Sequence, residues 1–303
     1  MRFVILHYHI FKNAGTAIEN LLRSNFGARF AEFEGDGPDC QLSGRSLVAW
    51  LEDHPEVQAI SSHQLRYPKP EAPGFVFFDL CFLRDPIDRI YSIYTFFRKY
   101  PPQSDPLSVL AHETTLARFV AQLVERSPHL VNDVQVTMLA TDGAYIRPPG
   151  EKDLGRATET LLHMSFPGVA DYFYESMVAG QYFWKPAFPE FDNAATPANV
   201  SRDPGSTLES RLATVRSACG KTLYEELERL NTLDRELVLR ARAEVARRFR
   251  LTPDHDRRLA ELRVRVQEKV GEDLPADGAL PATRGRVSAF LHGLRRAAPG
   301  GSR

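Results

Sequence analysis

The sequence predicts an α/β fold: a parallel β-sheet with helices on its faces and a helical extension at its C-terminal end. Three observations lead there. Apolar, β-prone runs alternate with segments of helical periodicity in the N-terminal third of the chain, as in parallel strands joined by crossover helices. The stretch HYHIFKNAGTAIENLL changes character halfway, from a strand-like run through a small-residue loop to helix spacing. Finally, 303 residues with 43% hydrophobic and 25% charged composition suit an ordinary globular chain with a sizeable buried core. No internal repeat is visible.

The first strand spans Arg2 to Ile10, and the helix after it starts at Thr16, with Ile18, Leu21, Leu22 and Phe26 at helix spacing. Val57 to Ser62 and Phe75 to Leu83 read as further strands. The latter leads into a helix from Pro86, with Asp85 as N-cap and proline at the first helical position, where it is favoured. Pro106 to Leu139 reads as helical, with Leu116, Phe119, Val120, Leu123 and Val124 marking one buried face. Residues 141–205, rich in proline, glycine and aromatics, read as loop-heavy, with at least one helix around Tyr172 to Phe183. A helix from about Leu233 to Phe249 carries the stripe Leu237, Ala241, Val245 and Phe249, with Asn231 as its cap. Beyond Thr252, Leu259, Leu262, Val266 and Val270 mark a charged amphipathic helix, and the final RAAPGGSR reads as frayed. The simplest partition is one domain over residues 1–250, then a helical extension and tail over 251–303.

A net charge of -1 argues against a bulk nucleic-acid binder. An anionic ligand would have to be held by a few placed cations. The three cysteines, Cys40, Cys81 and Cys219, show no metal-type spacing, and Cys81 reads as a buried small hydrophobe. A reducing compartment fits best. The first residues read as a core strand rather than a signal peptide, and no apolar run approaches membrane-spanning length. The expectation is therefore a cytoplasmic protein without a membrane anchor, in which the sequon Asn199-Val200-Ser201 is accidental.

A loop between a first parallel strand and its helix is where α/β proteins bind phosphate, because helix-start N–H groups and the helix dipole favour an anion there. Ala14 and Gly15 let the backbone approach closely, Lys12 adds a point charge and Thr16 a hydroxyl. The Walker pattern is absent, so an ATP or GTP reading has no support. A plain strand-to-helix turn with an exposed lysine accounts for this loop equally well. In FLRDPIDRIYSIYTFF, Arg84 ends a strand and Ser92 lies about 9 Å along the following helix. Together they suit a second phosphate, held by a guanidinium fork and a hydroxyl. The alternative has Arg84 paired with an acidic neighbour and Ser92 merely exposed.

Together the two stretches resemble the nucleotide site of sulfotransferases that use 3′-phosphoadenosine 5′-phosphosulfate (PAPS). HIFKNAGTAIENLL is similar to the family's 5′-phosphosulfate loop, H-I-P-K-T-G-G-T-S, and FLRDPIDRIYSIY to its 3′-phosphate motif, L-R-D-P-x-x-R-x-x-S-x-Y. The resemblance is closest to the carbohydrate branch that contains heparan sulfate 2-O-sulfotransferase-like enzymes. Weaker echoes run through NDVQVTMLA, FPGVADYFYESM and LNTLDRELVLRARAEVARRF, so the likeness covers about the first 250 residues. Phe11 stands where the family has proline, Asn13 where it has threonine and Ala14 where it has glycine. Ala14 tolerates fewer backbone conformations than glycine. The resemblance implies a P-loop NTPase-like sheet. It implies that Lys12, Asn13, Ala14, Gly15, Thr16 and Ala17 line the 5′-phosphosulfate, and that Arg84 and Ser92 hold the 3′-phosphate. No metal is expected. Lys12 would stabilise charge developing on the leaving phosphate.

An acceptor hydroxyl must lose a proton as it attacks. His63, just past the strand Val57 to Ser62, stands where α/β sheets place ligands, and its ordinary pKa suits general-base work. In the related branch a histidine at the corresponding place is the base; a surface or hydrogen-bonded histidine is the alternative. His7 and His9 alternate onto one face of the first strand, but no nearby carboxylate or cysteine completes a metal set. His9 matches the family loop and would orient it, while His7 reads as core. Glu19 is a second candidate base, although a solvated helix face explains it more simply. Tyr67, Tyr91, Tyr94, Phe96, Phe97, Tyr100 and Trp184 suggest either an aromatic cleft for a sugar or ordinary core. The expected activity is sulfuryl transfer from PAPS to a hydroxyl of a carbohydrate or glycoconjugate. A nucleotide- or glycan-binding module without catalysis and a nucleotide-dependent phosphotransferase are the alternatives.

Overall fold

The computed structural model describes residues 1–35, 41–99, 102, 106–140, 147–195 and 206–272, with side chains to residue 270. Cys40, Tyr100, the Asn199-Val200-Ser201 sequon and the RAAPGGSR end lie outside the described residues. The strands are β1 (Arg2–Tyr8), β2 (Phe30–Glu32), β3 (Ala59–Ser62), β4 (Phe75–Leu83) and β5 (Phe166–Val169). They form one five-stranded sheet in the order β2-β3-β1-β4-β5, and every pairing is parallel. The helices are α1 (Gly15–Phe26), α2 (Gly44–Asp53), α3 (Pro86–Lys99), α4 (Pro106–Glu113), α5 (Leu116–Arg126) and α6 (Val134–Ala140). After them come α7 (Glu151–His163), α8 (Phe173–Trp184), α9 (Leu208–Leu230), α10 (Thr232–Leu251) and α11 (His255–Glu272).

Strand alternation divides the sheet's two faces. Val4, Leu6 and Tyr8 join Ile60, Cys81 and Leu83 in a core with Leu47 and Leu51 of α2, Val136 of α6, Leu154 of α7 and Leu237 of α10. Ile5, Ala59, Leu80 and Phe82 face the other way, onto Ile18 and Leu22 of α1 and Met177 of α8. Leu262 and Val266 of α11 are buried in that second cluster, so α11 helps to close this face of the core. A third cluster joins α3, α4, α5 and α9 around Ile90, Ala111, Phe119 and Val215. Cys81 is buried, as expected, and no helix among the described residues is long and apolar enough to cross a membrane.

The chain leaves β1 toward β2 and β3, and later leaves β4 toward β5 on the opposite side. The crossovers therefore diverge between β1 and β4. That is a topological switch point, where the carboxyl ends of neighbouring strands open a crevice.

Several expectations are corrected. Within its described part, 147–195, the stretch 141–205 is less loop-heavy than expected, holding α7 and the edge strand β5 besides the expected helix, α8. β5 reads Phe-Pro-Gly-Val, and proline is tolerated there because an edge strand has one unpaired side. α7 buries only Leu154, Ala157, Leu161 and the polar Asp153, too sparse a stripe to stand out. α9 was not foreseen either, and Gly220, at φ 70°, kinks it. Asn231 stands at the N-cap of α10 as expected, but its side chain makes no cap bond there. It is buried, and its amide donates to the Leu227 carbonyl at the end of α9 (2.9 Å). α6 and α10 cap each other instead. Asp133, just before α6, accepts from the Asp234 amide (2.8 Å), while Asp234 of α10 accepts from the amides of Gln135 (3.0 Å) and Val136 (2.8 Å).

Candidate functional site

Lys12, His63 and Arg84 each follow the carboxyl end of one of three adjacent parallel strands, β1, β3 and β4 respectively. The loop after β1 is tightly wound. Lys12 (φ 67°) and Ala14 (φ 65°) both adopt left-handed backbone, which is uncommon without glycine and costs roughly 1–2 kcal/mol per residue. Ala14 occupies the N-cap of α1 without any side-chain cap bond. The Ala17 amide reaches back to the Ala14 carbonyl (3.0 Å). Alternating backbone conformations of this kind turn N–H groups toward a concavity suited to anions. The Lys12 ammonium lies over the Phe96 ring, 4.2 Å from its centroid, and 5.9 Å from that of Phe11. Thr16 is half-buried and Ala17 buried on α1.

Arg84 crosses the switch point. Its Nη1 donates to the Lys12 carbonyl (2.9 Å), while its Nε donates to Asp88 Oδ2 (2.7 Å). Asp88 also receives Arg211 Nε from α9 (2.7 Å), and Arg211 lies 3.6 Å from Asp171. Arg84 is thus paired with an acidic neighbour and only 5% exposed. Asp85 caps α3 as expected, accepting from the amides of Ile87 (3.0 Å) and Asp88 (3.1 Å). Ser92 lies further along α3 and is 4% exposed rather than on the surface.

Gln135, which the sequence reading did not single out, ties these parts together. Its Oε1 accepts from Asn13 Nδ2 (2.9 Å) and from the Arg84 amide (2.9 Å). Its Nε2 donates to the Arg84 carbonyl (2.9 Å) and to Asp234 (3.2 Å). Asn13 Nδ2 also donates to the Phe82 carbonyl (2.9 Å). The Asn13 side chain is therefore a buried strut beneath the loop. The three weaker sequence echoes contribute Gln135, Asp171 and Asp234 to this support. Burial pushes the Asp133 carboxyl up to about 7, with the charge of Asp234 adding to the effect and hydrogen bonds from α10 amides opposing it. Burial raises Asp234 as well, against the amides of Gln135 and Val136 and the Arg89 charge.

On the other flank three imidazoles stack. The rings of His7 and His9 lie 5.1 Å apart and those of His9 and His63 3.9 Å apart. Glu19 is not on a solvated helix face. Its Oε1 lies 2.8 Å from His9 Nδ1 and accepts from Ser61 Oγ (2.8 Å), and Ser61 Oγ in turn lies 2.8 Å from His7 Nδ1. Glu34, on the loop after β2, accepts at Oε1 from the His63 amide (2.8 Å) and faces His63 Nδ1 (3.0 Å). A carboxylate oxygen thus stands opposite Nδ1 of both His9 and His63; in the tautomer that donates to it, Nε2 is the accepting nitrogen. Burial, reinforced by the other rings' charges, holds His7 well below the ordinary histidine range, with Glu19 opposing. Burial and His63 likewise lower His9, against the hydrogen bond and charge of Glu19. Burial acts against the Glu19 carboxylate, yet the His9 hydrogen bond and the surrounding imidazoles hold it below the usual range.

Gly15 lets this arrangement exist, because a Cβ there would stand 1.9 Å from His9 Nε2. His63 is the most open of the three rings, its side chain 24% exposed. The expectation that no carboxylate completes a set with His7 and His9 is corrected: Glu19, on the next helix, brings a ligand atom within 4.8 Å of both. Sequence distance hid it. The aromatic expectation divides: Phe97 and Trp184 are core, Tyr67 stacks on Tyr8 (3.9 Å) inside the sheet core, and Phe96 stands 4.2 Å from the Lys12 ammonium.

No family model matches the chain. A protein of Archaeoglobus fulgidus, described as "Uncharacterized protein", is 31% identical over 241 residues, spanning 77% of this chain and 93% of its own length. The chain belongs to the same family as this archaeal protein.

Proposed function

We propose that the chain is a sulfotransferase that moves the sulfuryl group of PAPS to a hydroxyl of a carbohydrate or glycoconjugate. The observation that carries this reading is the meeting of Lys12 and Arg84 across the β1/β4 switch point, with His63 on the adjoining strand end. That is where a doubly wound sheet offers a ligand site, and Lys12 and Arg84 belong to the two resembling motifs. Lys12 and the N-terminus of α1 would stabilise negative charge on the 5′-phosphate oxygen as its bond to sulfur breaks. His63 would take the acceptor's proton on Nε2 as the new O–S bond forms, its ring held by Glu34 through Nδ1. Arg84 has a second duty in this reading. By holding the Lys12 carbonyl it shapes the loop for the 5′ side as well as facing the 3′-phosphate, and Ser92 is the cleaner reporter of the 3′ side.

The test is ligand-dependent melting. The product nucleotide 3′-phosphoadenosine 5′-phosphate should raise Tm well beyond AMP or ATP, since a ligand selective for the folded state stabilises it. Equal stabilisation by all three would overturn the reading. With a working acceptor, His63→Ala should lose about 10²–10⁴-fold in turnover while keeping nucleotide affinity. Near-normal turnover would transfer the proton to Glu19 or another group.

A further inference from the structure

The histidine flank carries chemistry that sulfuryl transfer does not use. His7 and His9 lie two residues apart in β1 and its exit, so both rings leave one face of the strand. Glu19 reaches the same point from α1. We propose that His7, His9 and Glu19 hold a divalent first-row transition ion, Zn²⁺ being the reference case, with the Ser61 hydroxyl supporting the Glu19 carboxylate.

Three observations carry this. One ligand atom from each residue lies within 4.8 Å of the other two, and the closest contact, His9 Nδ1 to Glu19 Oε1, is 2.8 Å. An ion bound at about 2.0–2.2 Å to nitrogen and oxygen needs its ligands roughly 3 Å apart, so side-chain adjustments on the order of 1–2 Å close the set. The donor set, two imidazoles and one carboxylate, suits zinc and its neighbours rather than calcium or magnesium. Lastly, both rings are buried, so an ion held between them and Glu19 would be largely shielded from water. Without an ion, His9 Nδ1 lies within hydrogen-bond distance of Glu19 Oε1. The ion would clamp β1 to α1, the two arms of the loop that carries Lys12.

The inference does not depend on the nucleotide reading, and its test needs neither donor nor acceptor. The full chain, stripped with chelator and desalted, is titrated with Zn²⁺ by calorimetry and with Co²⁺ by visible absorption. One ion per chain at micromolar affinity or tighter is expected, with a rise in Tm. X-ray absorption of the zinc-loaded wild type should show imidazole and oxygen ligands. Glu19→Gln and His7→Gln should each weaken Zn²⁺ by at least the roughly 10–100-fold that loss of a supporting group costs, while His112→Gln on α4 should leave it unchanged. Failure of the wild type to bind, an absorption spectrum without imidazole, or unchanged affinity in Glu19→Gln would overturn the proposal. Should the variants fail to fold, the wild-type stoichiometry and spectrum decide it alone.

Discussion

The two flanks of β1 hold their polar groups by different means. Toward β4, Arg84, Asp88, Arg211, Gln135 and Asp234 form a network of permanent charges and carboxamides, closed at 2.7–3.2 Å and shut away from water. Toward β3, His9 and His63 face Glu19 and Glu34 directly, and His7 reaches Glu19 through the Ser61 hydroxyl, so the contacts run through single hydrogen bonds to imidazole rings. The first flank is scaffolding that sets where Lys12 stands. The second is built from three stacked imidazoles and two carboxylates and includes the most open of the three rings, His63. One sheet end thus keeps its closed network and its histidine cluster on opposite sides of a single strand.

The sharpest break in that comparison is Asp88→Ala. Two buried guanidiniums, those of Arg84 and Arg211, would lose their shared carboxylate. Removing one partner of a buried pair costs about 3–5 kcal/mol, and denaturant titration should show a loss of that size. A change below about 1 kcal/mol would mean that the network is not the scaffold described.

Acid titration separates the flanks next. His7 and His9 are held below about 6.5 when folded, so the unfolded chain takes up their protons first. Their contribution is present above that value and is lost as pH falls through it. Glu19, held low, adds a further loss below about 4.3. Asp133 opposes both. Raised to about 7, it is protonated first in the folded chain, so its burial destabilises at neutral pH and that cost disappears as pH falls. Asp133→Asn should therefore be more stable than wild type near neutrality and lose stability more steeply on acidification. Parallel urea midpoint curves for the two proteins would remove Asp133 from the account.

The smallest effect concerns the loop shared by both flanks. Ala14→Gly relieves left-handed strain of about 1–2 kcal/mol but adds about 0.5–1 kcal/mol of unfolded-chain entropy. A net gain near 0.5 kcal/mol is expected in thermal melts. A clear loss of stability would show that the alanine methyl, not the backbone, matters at the start of α1.

Much of the β4 flank's outline was legible because it is local. A strand end, Asp85 and Pro86 in succession announce a capped helix, and the positions of Lys12 and Arg84 follow from counting along two short motifs. Gln135 and Asp234 were not legible. A polar residue on a helix reads as a solvated face until another helix end is brought against it: here Asp234 accepts from the amide and carboxamide of Gln135, 99 residues away, and Gln135 in turn serves Arg84 and Asn13, 51 and 122 residues away. Glu19 failed for the same reason in reverse. Its neighbours along α1 are apolar on one side only, so it read as surface, whereas the turn after β1 swings it onto the histidines.

By itself the sequence determined the alternation of strands and helices, the buried stripes and the strand-end placing of Lys12, His63 and Arg84, because periodicity and turn chemistry act over a few residues. The tertiary structure decided the rest. Only sheet order puts the exits of β1 and β4 side by side, so that Arg84 can reach the Lys12 carbonyl. Only the sheet edge makes a strand of Phe-Pro-Gly-Val, whose local preference is loop. Only packing buries His7, His9 and Glu19 together and so sets their protonation. Burial and long-range hydrogen bonds depend on where distant segments meet, and a pattern of neighbours along the chain carries no record of that meeting.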